Sequence, residues 1–205
     1  MQRIKVVVSM LVLVMASLQA SALNLQLSSG AGTRIKELTQ LIKQQPGNVQ
    51  AYGERAAARM EARDVYGAIK DYTFALTLSE EDNQTYLLGR GNAYLEIGAY
   101  KEALRDFDAI LMNGNSTDAL YGRAVGKYYL DDFFGAIRDL DEVVAVAPQH
   151  SKALCNRGIV KLELNQLEDS VTDLTLFLTH YPDHQEATYA LQVATSKLQR
   201  RTAKR

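Results

Sequence analysis

Cysteine, histidine and proline are all scarce in this sequence, with one, three and three copies in 205 residues. A single thiol, Cys155, cannot close a disulfide within the chain, and it excludes zinc, haem or iron–sulfur sites held by several thiolates. Three histidines support no Ser/His/Asp arrangement, because two of them, His180 and His184, fall in the same short segment. The sequence therefore predicts no catalytic residues, no cofactor and no metal site.

The chain also lacks an excess of charge of one sign. Its 23 Lys and Arg residues nearly balance its 24 Asp and Glu residues, which gives a formal net charge of −1. A dedicated nucleic-acid-binding protein needs a basic surface, so the composition predicts no nucleic-acid partner. Apolar residues make up 47% of the chain, which predicts a folded protein without a long disordered segment.

One apolar run stands out, at the N-terminus. Residues 6–18 follow the basic residues Arg3 and Lys5 and precede the small residues Ala20 and Ala22. This layout is typical of a secretory signal peptide, with cleavage expected after Ala22. Retention as a membrane anchor is the alternative, but a spanning helix needs about 20 apolar residues. We therefore expect an exported protein of the periplasm or the cell exterior, or of the secretory lumen in a eukaryote.

The rest of the chain repeats itself with a period of 34 residues. Small residues recur at intervals of 35, 33 and 34, at Ala68, Ala103, Ala136 and Ser170. Each is followed four residues later by an apolar or aromatic residue, at Tyr72, Phe107, Leu140 and Leu174. Within a period the apolar residues follow helical spacing on both sides of a turn residue such as Gly98. The period therefore predicts a series of helix–turn–helix units.

This layout resembles the tetratricopeptide repeat (TPR) family, whose unit is a 34-residue helix–turn–helix. The second unit matches the family pattern best, at Gly91, Tyr94, Gly98, Tyr100, Ala103 and Phe107. The resemblance implies an all-α fold, a right-handed superhelical solenoid of TPR units. The other units depart from the pattern at the position of Tyr94, where they carry Arg59, Lys127 and Lys161. These departures affect local packing and not the expected architecture.

The resemblance also divides the chain into segments. They are a signal peptide (1–22), an N-terminal segment with a half-repeat helix (23–47), four repeats (49–83, 84–116, 117–150 and 151–184), and a capping helix with a basic tail (185–205). Asn48, Asn83 and Ser116 stand just before the first helices of three repeats. Their side-chain oxygens are predicted to accept hydrogen bonds from the unpaired amides of those helices.

An arginine occurs at one position of every repeat, and an aspartate follows each arginine 16 residues later. The pairs are Arg55 and Asp71, Arg90 and Asp106, Arg123 and Asp139, and Arg157 and Asp173. One interpretation is an arginine ladder for an anionic ligand. The other is a bidentate ion pair that joins the two helices of each repeat. The matched aspartates favour ion pairs, because an anion site would not need a carboxylate in every unit.

In the TPR family the first helices of successive repeats line a concave groove that binds peptides or helices of other proteins. The resemblance places twelve residues in this groove: Gly53, Ala57, Met60, Leu88, Asn92, Leu95, Tyr121, Val125, Tyr128, Cys155, Ile159 and Leu162. Gly53, Leu88 and Tyr121 stand where carboxylate-gripping relatives carry lysine. An apolar peptide or amphipathic helix is therefore the expected partner, held by a non-catalytic scaffold or adaptor.

Two alternatives remain open. The groove can be covered by the apolar N-terminal segment Leu23–Leu27 or by a second copy in a homo-oligomer, because large apolar patches rarely stay exposed. The protein can also be a self-assembling or surface-associated structural protein that uses its basic tail. That tail carries Lys197, Arg200, Arg201, Lys204 and Arg205. Any membrane contact through the tail would be peripheral and electrostatic.

Overall fold

The computed structural model describes residues 30–79 and 83–203, and it shows helices joined by short turns. The first helix, α1, covers residues 30–44. In the described ranges it is followed by α2 (Val49–Glu61), α3 (Val65–Leu78), α4 (Gln84–Glu96), α5 (Tyr100–Asn113), α6 (Thr117–Tyr129), α7 (Phe133–Val146), α8 (Ser151–Glu163), α9 (Leu167–His180) and α10 (Gln185–Thr202). The predicted signal peptide, the segment Leu23–Leu27 and the tail residues Lys204 and Arg205 lie outside the described residues.

Each repeat consists of two helices joined by a turn of the same length, at residues 62–64, 97–99, 130–132 and 164–166. The middle residue of every turn has a left-handed backbone. The four φ values are 63° at Arg63, 75° at Gly98, 61° at Asp131 and 56° at Asn165. Only glycine adopts this conformation without a steric cost, so Gly98 is the relaxed version of a turn that the other repeats make under strain.

The chain forms two compact units, and the boundary between them falls within α4, after Tyr86. In the first unit, Ala56, Ala68 and Tyr72 form a buried cluster against which Met60 and Tyr86 pack. Gly53 is buried on this side of α2, and a methyl group there would collide with the ring of Tyr86. The first unit therefore buries part of the surface that the sequence assigned to a groove.

The second unit contains three successive apolar clusters. The first is centred on Phe107 and Ile110, the second on Leu140 and Val143, and the third on Leu174 and Phe177, where α10 adds Ala187, Ala190 and Ala194. The recurring small residues lie where helices meet. A Cβ atom at Gly91 would be 2.8 Å from the ring of Phe107, and one at Gly122 would be 2.5 Å from it. The 34-residue spacing of small residues is thus a requirement of close helix contact.

Capping side chains begin most of the helices. Asn48 Oδ1 accepts a hydrogen bond from the Ala51 amide at 3.0 Å, and Ser116 Oγ accepts one from the Ala119 amide at 3.2 Å. The prediction for Asn83 is wrong, because its Oδ1 atom is buried and has no hydrogen-bond partner among the described residues. His184 Nδ1 accepts from the Ala187 amide, so this histidine caps α10. None of the helices in residues 30–79 and 83–203 combines the length and the hydrophobicity that a membrane-spanning helix needs.

Candidate functional site

The most regular side-chain feature of the described structure is an ion pair inside every repeat. In each pair the arginine Nε donates to one carboxylate oxygen and Nη2 donates to the other, at 2.7–2.9 Å. The structure brings together all four predicted pairs: Arg55–Asp71, Arg90–Asp106, Arg123–Asp139 and Arg157–Asp173. All four carboxylates are buried. Hydrogen bonds to them raise the pKa of each arginine, against the opposing effect of burial, so the guanidinium groups stay charged.

A second cation reaches the same aspartate in three of the repeats. Arg59 Nη1 lies 2.9 Å from Asp71 Oδ2, and Lys127 Nζ lies 2.7 Å from Asp139 Oδ2. Lys161 Nζ lies 2.8 Å from Asp173 Oδ2 in the same way. These cations occupy the position of Tyr94 in the second repeat. They are 12 residues ahead of their aspartates, a spacing visible in the sequence that could have identified the triads.

The remaining edge of the guanidinium contacts the preceding helix. Arg55 Nη1 donates to Thr39 Oγ1 of α1 at 3.2 Å. Two further bonds of this kind run from Arg123 Nη1 to Asp108 Oδ1 at 2.8 Å and from Arg157 Nη1 to Asp141 Oδ1 at 3.0 Å. All three nitrogens of these arginines therefore donate to protein oxygens. The arrangement favours the ion-pair interpretation over a ladder for anionic ligands.

A pocket of about 130 Å³ lies in the second unit, between α6, α8 and α10. Its walls are Ala124, Val125, Tyr128, Tyr129, Leu140, Asn156, Ile159, Val160 and Glu186. Three of the predicted groove residues, Val125, Tyr128 and Ile159, are among them. Sequence reasoning missed Tyr129, Asn156 and Glu186. Glu186 belongs to the capping helix, outside the repeat pattern, so periodicity gave no signal for it.

The other predicted groove residues lie in different surroundings. Leu162 is 8% exposed and Cys155 is 5% exposed, so both belong to the core. They are buried because they join the apolar cluster to which α10 contributes its alanines. Leu88 and Leu95 pack against the Phe107 cluster, whereas Asn92 is exposed. In the first unit, Met60 packs against the cluster of Ala56 and Tyr72, and Ala57 is half-buried.

Tyr121 lies beside the pocket and is held in place by two contacts. Its hydroxyl accepts a hydrogen bond from Asn156 Nδ2 at 3.1 Å. The centre of its ring is 5.0 Å from that of His150. Tyr121 thereby fixes the orientation of the Asn156 amide, which lines the pocket.

The pocket carries neutral phenols and a negative rim. Burial raises the pKa of Tyr128, and the carboxylates of Glu163, Glu186 and Asp131 add to the increase. Burial likewise raises the pKa of Cys155, to about 11. Near neutral pH the Tyr128 phenol and the Cys155 thiol are uncharged, and Glu186 is the acidic residue in the pocket lining. Within the described part of the chain, no group of three or more His, Cys, Asp or Glu side chains is arranged to hold a metal ion.

Residues 54–119 match the family model of the tetratricopeptide repeat. The chain is also similar to RNA polymerase II-associated protein 3 of Rattus norvegicus and of Mus musculus, with 31% identity over 113 residues in each case. The matched region is 53% of this chain but only 17% of either relative. The chain therefore spans less than a fifth of the length of the curated relatives it matches.

Solved structures of TPR proteins share the fold. YrrB, described as a TPR protein with an unusual peptide-binding site, superposes with a TM-score of 0.66 at 21% identity, covering 79% of this chain and 84% of YrrB. A TPR protein of Parabacteroides merdae superposes with a TM-score of 0.68 at 19% identity, and the match covers 82% of this chain and 68% of that protein. MamA of Desulfovibrio magneticus superposes with a TM-score of 0.68 at 15% identity, and the match covers 80% of this chain and 96% of MamA. The chain therefore has the all-α fold of a tetratricopeptide repeat protein, which confirms the predicted fold class.

Proposed function

We propose that this protein is a non-catalytic scaffold that binds a segment of another protein on the surface around the α6–α8–α10 pocket. TPR proteins bind other proteins or peptides, and this general role supports a protein partner. The observation that carries the proposal is the pocket itself, which brings Val125, Tyr128 and Ile159 together on one open face of the second unit.

The size of the pocket favours one side chain of a peptide over a small-molecule cofactor. Sites for drug-sized ligands measure about 300–1,000 Å³, whereas this pocket measures about 130 Å³. Tyr128 and Tyr129 suit an anchor point, because tyrosine offers a large contact area with few rotatable bonds and a hydroxyl for hydrogen bonding. The rest of the bound segment would lie along the neighbouring surface of the first helices.

We further propose that the scaffold works outside the cytoplasm, in the periplasm, the cell exterior or the secretory lumen. The support is the layout of residues 1–22, with its basic start, apolar run and small residues before the cleavage point. N-terminal sequencing of the protein isolated from its source tests this directly. A mature chain that begins at Leu23 would support export, and a chain that retains residues 1–22 would contradict cleavage.

A second candidate function is self-association or attachment to an anionic surface through α10. It is favoured by the exposure of Tyr189 (69%) beside Lys197 and Arg200 on the same helix. Such binding would depend on charge and would weaken as salt rises. Binding in the apolar pocket is expected to be less sensitive to salt.

A peptide selection tests the first proposal. A library of random peptides displayed on phage is selected on the full chain, and the enriched peptides are then measured against two variants. Val125→Arg places a long side chain in the pocket. The control, Phe134→Arg, also introduces an arginine, but at a residue of α7 that is 70% exposed and does not line the pocket. Circular dichroism melting checks that both variants fold.

Peptides that lose binding to Val125→Arg and keep it to Phe134→Arg would support the pocket as the binding surface. Equal binding to both variants would contradict it. Loss of binding on Lys197→Gln with Arg200→Gln, together with strong salt dependence, would instead favour the second candidate.

A further inference from the structure

We propose that the α6–α8–α10 pocket binds the basic side chain of an arginine or lysine in the partner segment. The inference rests on the proposed function and specifies the chemistry of its anchor residue. It follows from three features of the pocket: its aromatic walls, the carboxylate of Glu186 at the rim, and two neighbouring lysines that are bound to other aspartates.

The aromatic walls form a connected cluster. Tyr128 and Tyr129 meet edge to face, with ring centroids 5.4 Å apart and planes at 73°. Tyr129 in turn stacks on Tyr100 at 4.7 Å with planes at 5°. This stack holds the ring of Tyr129 in place although 56% of the residue is exposed. A cation positioned over the face of a tyrosine is attracted by the ring, and a planar guanidinium can also stack on it.

The charge at the rim is negative. Glu186 lines the pocket from the first turn of α10. No ion pair to Glu186 occurs within the described residues. The carboxylates of Glu163 and Asp131 also contribute to the raised pKa of Tyr128. An acidic side chain would be repelled here, and a purely aliphatic one would cover Glu186 without compensating its charge.

Lys127 of α6 and Lys161 of α8 do not neutralise this rim. Lys127 Nζ is bound to Asp139 and Lys161 Nζ is bound to Asp173, both on the second helices of their repeats. Asn156 adds a polar group of fixed orientation, because its Nδ2 atom donates to Tyr121. Its Oδ1 atom is a hydrogen-bond acceptor on a side chain that lines the pocket. Charge and hydrogen-bonding pattern both favour a cationic donor.

The test uses two small probes of nearly equal shape and different charge. N-acetyl-arginine methylamide and its neutral analogue N-acetyl-citrulline methylamide are titrated into the 15N-labelled full chain, and amide shifts are followed by NMR. The arginine probe is expected to shift the signals of Tyr128, Tyr129 and Glu186 in a saturable way. It should bind about five to ten times more tightly than the citrulline probe.

A matched pair of variants locates the effect. Glu186→Gln should reduce the affinity for the arginine probe to that for citrulline. Glu142→Gln, which changes an exposed acid of α7 outside the pocket, should leave both affinities unchanged. Equal affinities of the two probes for the wild-type chain would overturn the inference. So would shifts that map away from the pocket, an unaltered preference in Glu186→Gln, or no shifts at the highest soluble concentration of probe.

The two proposals fail in different ways. If selected peptides depend on Val125 but carry no common basic residue, and the arginine probe shows no preference, the scaffold proposal stands and the inference is wrong. If the arginine probe binds as expected but no peptide is selected, the pocket chemistry stands and the scaffold proposal is wrong.

Discussion

The second repeat (α4 and α5) and the third repeat (α6 and α7) join their helices in different ways. In the second repeat, Asp106 pairs with Arg90, whose guanidinium lies 5.9 Å from the ring centre of Tyr94. In the third repeat, Asp139 binds both Arg123 and Lys127. The apolar partner also differs, because the second helix contributes Phe107 in one case and Leu140 in the other.

This difference shows that one backbone arrangement accepts two kinds of stabilisation. An aromatic ring at the position of Tyr94 contributes apolar contact and a face for the arginine. A lysine at the same position contributes an ion pair, whose gain is offset by the cost of removing the charges from water. The fourth repeat has the same lysine ion pair as the third, formed by Lys161, so the triad of two cations and one aspartate is a regular alternative and not a local defect.

The largest effect is expected from removing the charge of Asp139. Asp139→Asn would leave Arg123 and Lys127 close together and partly buried, and we expect a loss of about 3–5 kcal/mol in the free energy of unfolding. Asp106→Asn removes a carboxylate that faces one cation, Arg90, and not two, so it should cost less. Urea unfolding followed by circular dichroism measures both. Equal losses would show that the second cation has no energetic role.

A smaller effect is expected at the close contacts of Phe107. Gly122→Ala would place a methyl group 2.5 Å from this ring, and overpacking of this kind costs about 1–3 kcal/mol. Gly114→Ala is the control, because no atom lies within 4 Å of that position. Differential scanning calorimetry compares the melting temperatures. A Gly122→Ala protein as stable as the control would mean that the ring moves aside at little cost.

A pH effect is expected at Cys155, which occupies the position of Leu88 and Tyr121 in the two preceding repeats. Burial raises the pKa of its thiol from 9.0 to about 11 in the folded protein. Its contribution to stability is therefore complete below pH 9 and is lost as pH rises towards 11, by an amount on the order of 2 kcal/mol. Urea unfolding at pH 8, 9.5 and 11 measures the loss. Cys155→Ala should remove this part of the pH dependence, and an unchanged profile would contradict the assignment.

The smallest effect is expected from exchanging the residue types found at the equivalent positions Tyr94 and Lys127. Lys127→Met keeps the pair of Arg123 and Asp139 and replaces a partly buried charge by an apolar chain of similar length, so stability should change by about 1 kcal/mol or less. Tyr94→Lys makes the reverse exchange in the second repeat and should also remain folded. Chemical denaturation of the two variants and of the double variant tests whether the repeats are independent. A loss above about 3 kcal/mol in the free energy of unfolding of either single variant would show that the aromatic residue and the charged residue are not interchangeable at this position.

The fold could be predicted from the sequence because the 34-residue period reflects a packing requirement between helices. Small residues must recur wherever Phe107 or its equivalents meet the next helix, and this recurrence is visible without a structure. The 16-residue spacing of arginine and aspartate reports a second fixed distance, between the two helices of a repeat. The 12-residue spacing of Lys127 and Asp139 is equally visible, but in the family pattern the lysine is only a departure from the usual aromatic residue.

The candidate site was less accessible, because it depends on contacts outside the period. Leu162 was assigned to the groove from its repeat position, but the alanines of α10 pack against its cluster and bury it. Glu186 has no counterpart in any repeat, so only the tertiary structure places it beside Tyr128. A position defined by a repeat pattern predicts which way a side chain faces, and the neighbouring element decides whether that side remains open.

The arginine contacts have a consequence for how the second unit unfolds. Arg123 and Arg157 each bind an aspartate within their own repeat and another, Asp108 or Asp141, in the repeat before. In a linear array, cooperativity depends on the strength of the coupling between nearest neighbours relative to the stability of each repeat. Asp108 and Asp141 are more than half exposed, so salt should weaken these bonds before the buried ones. Rising ionic strength should therefore loosen the coupling between repeats and broaden the unfolding transition while each hairpin keeps its own pair.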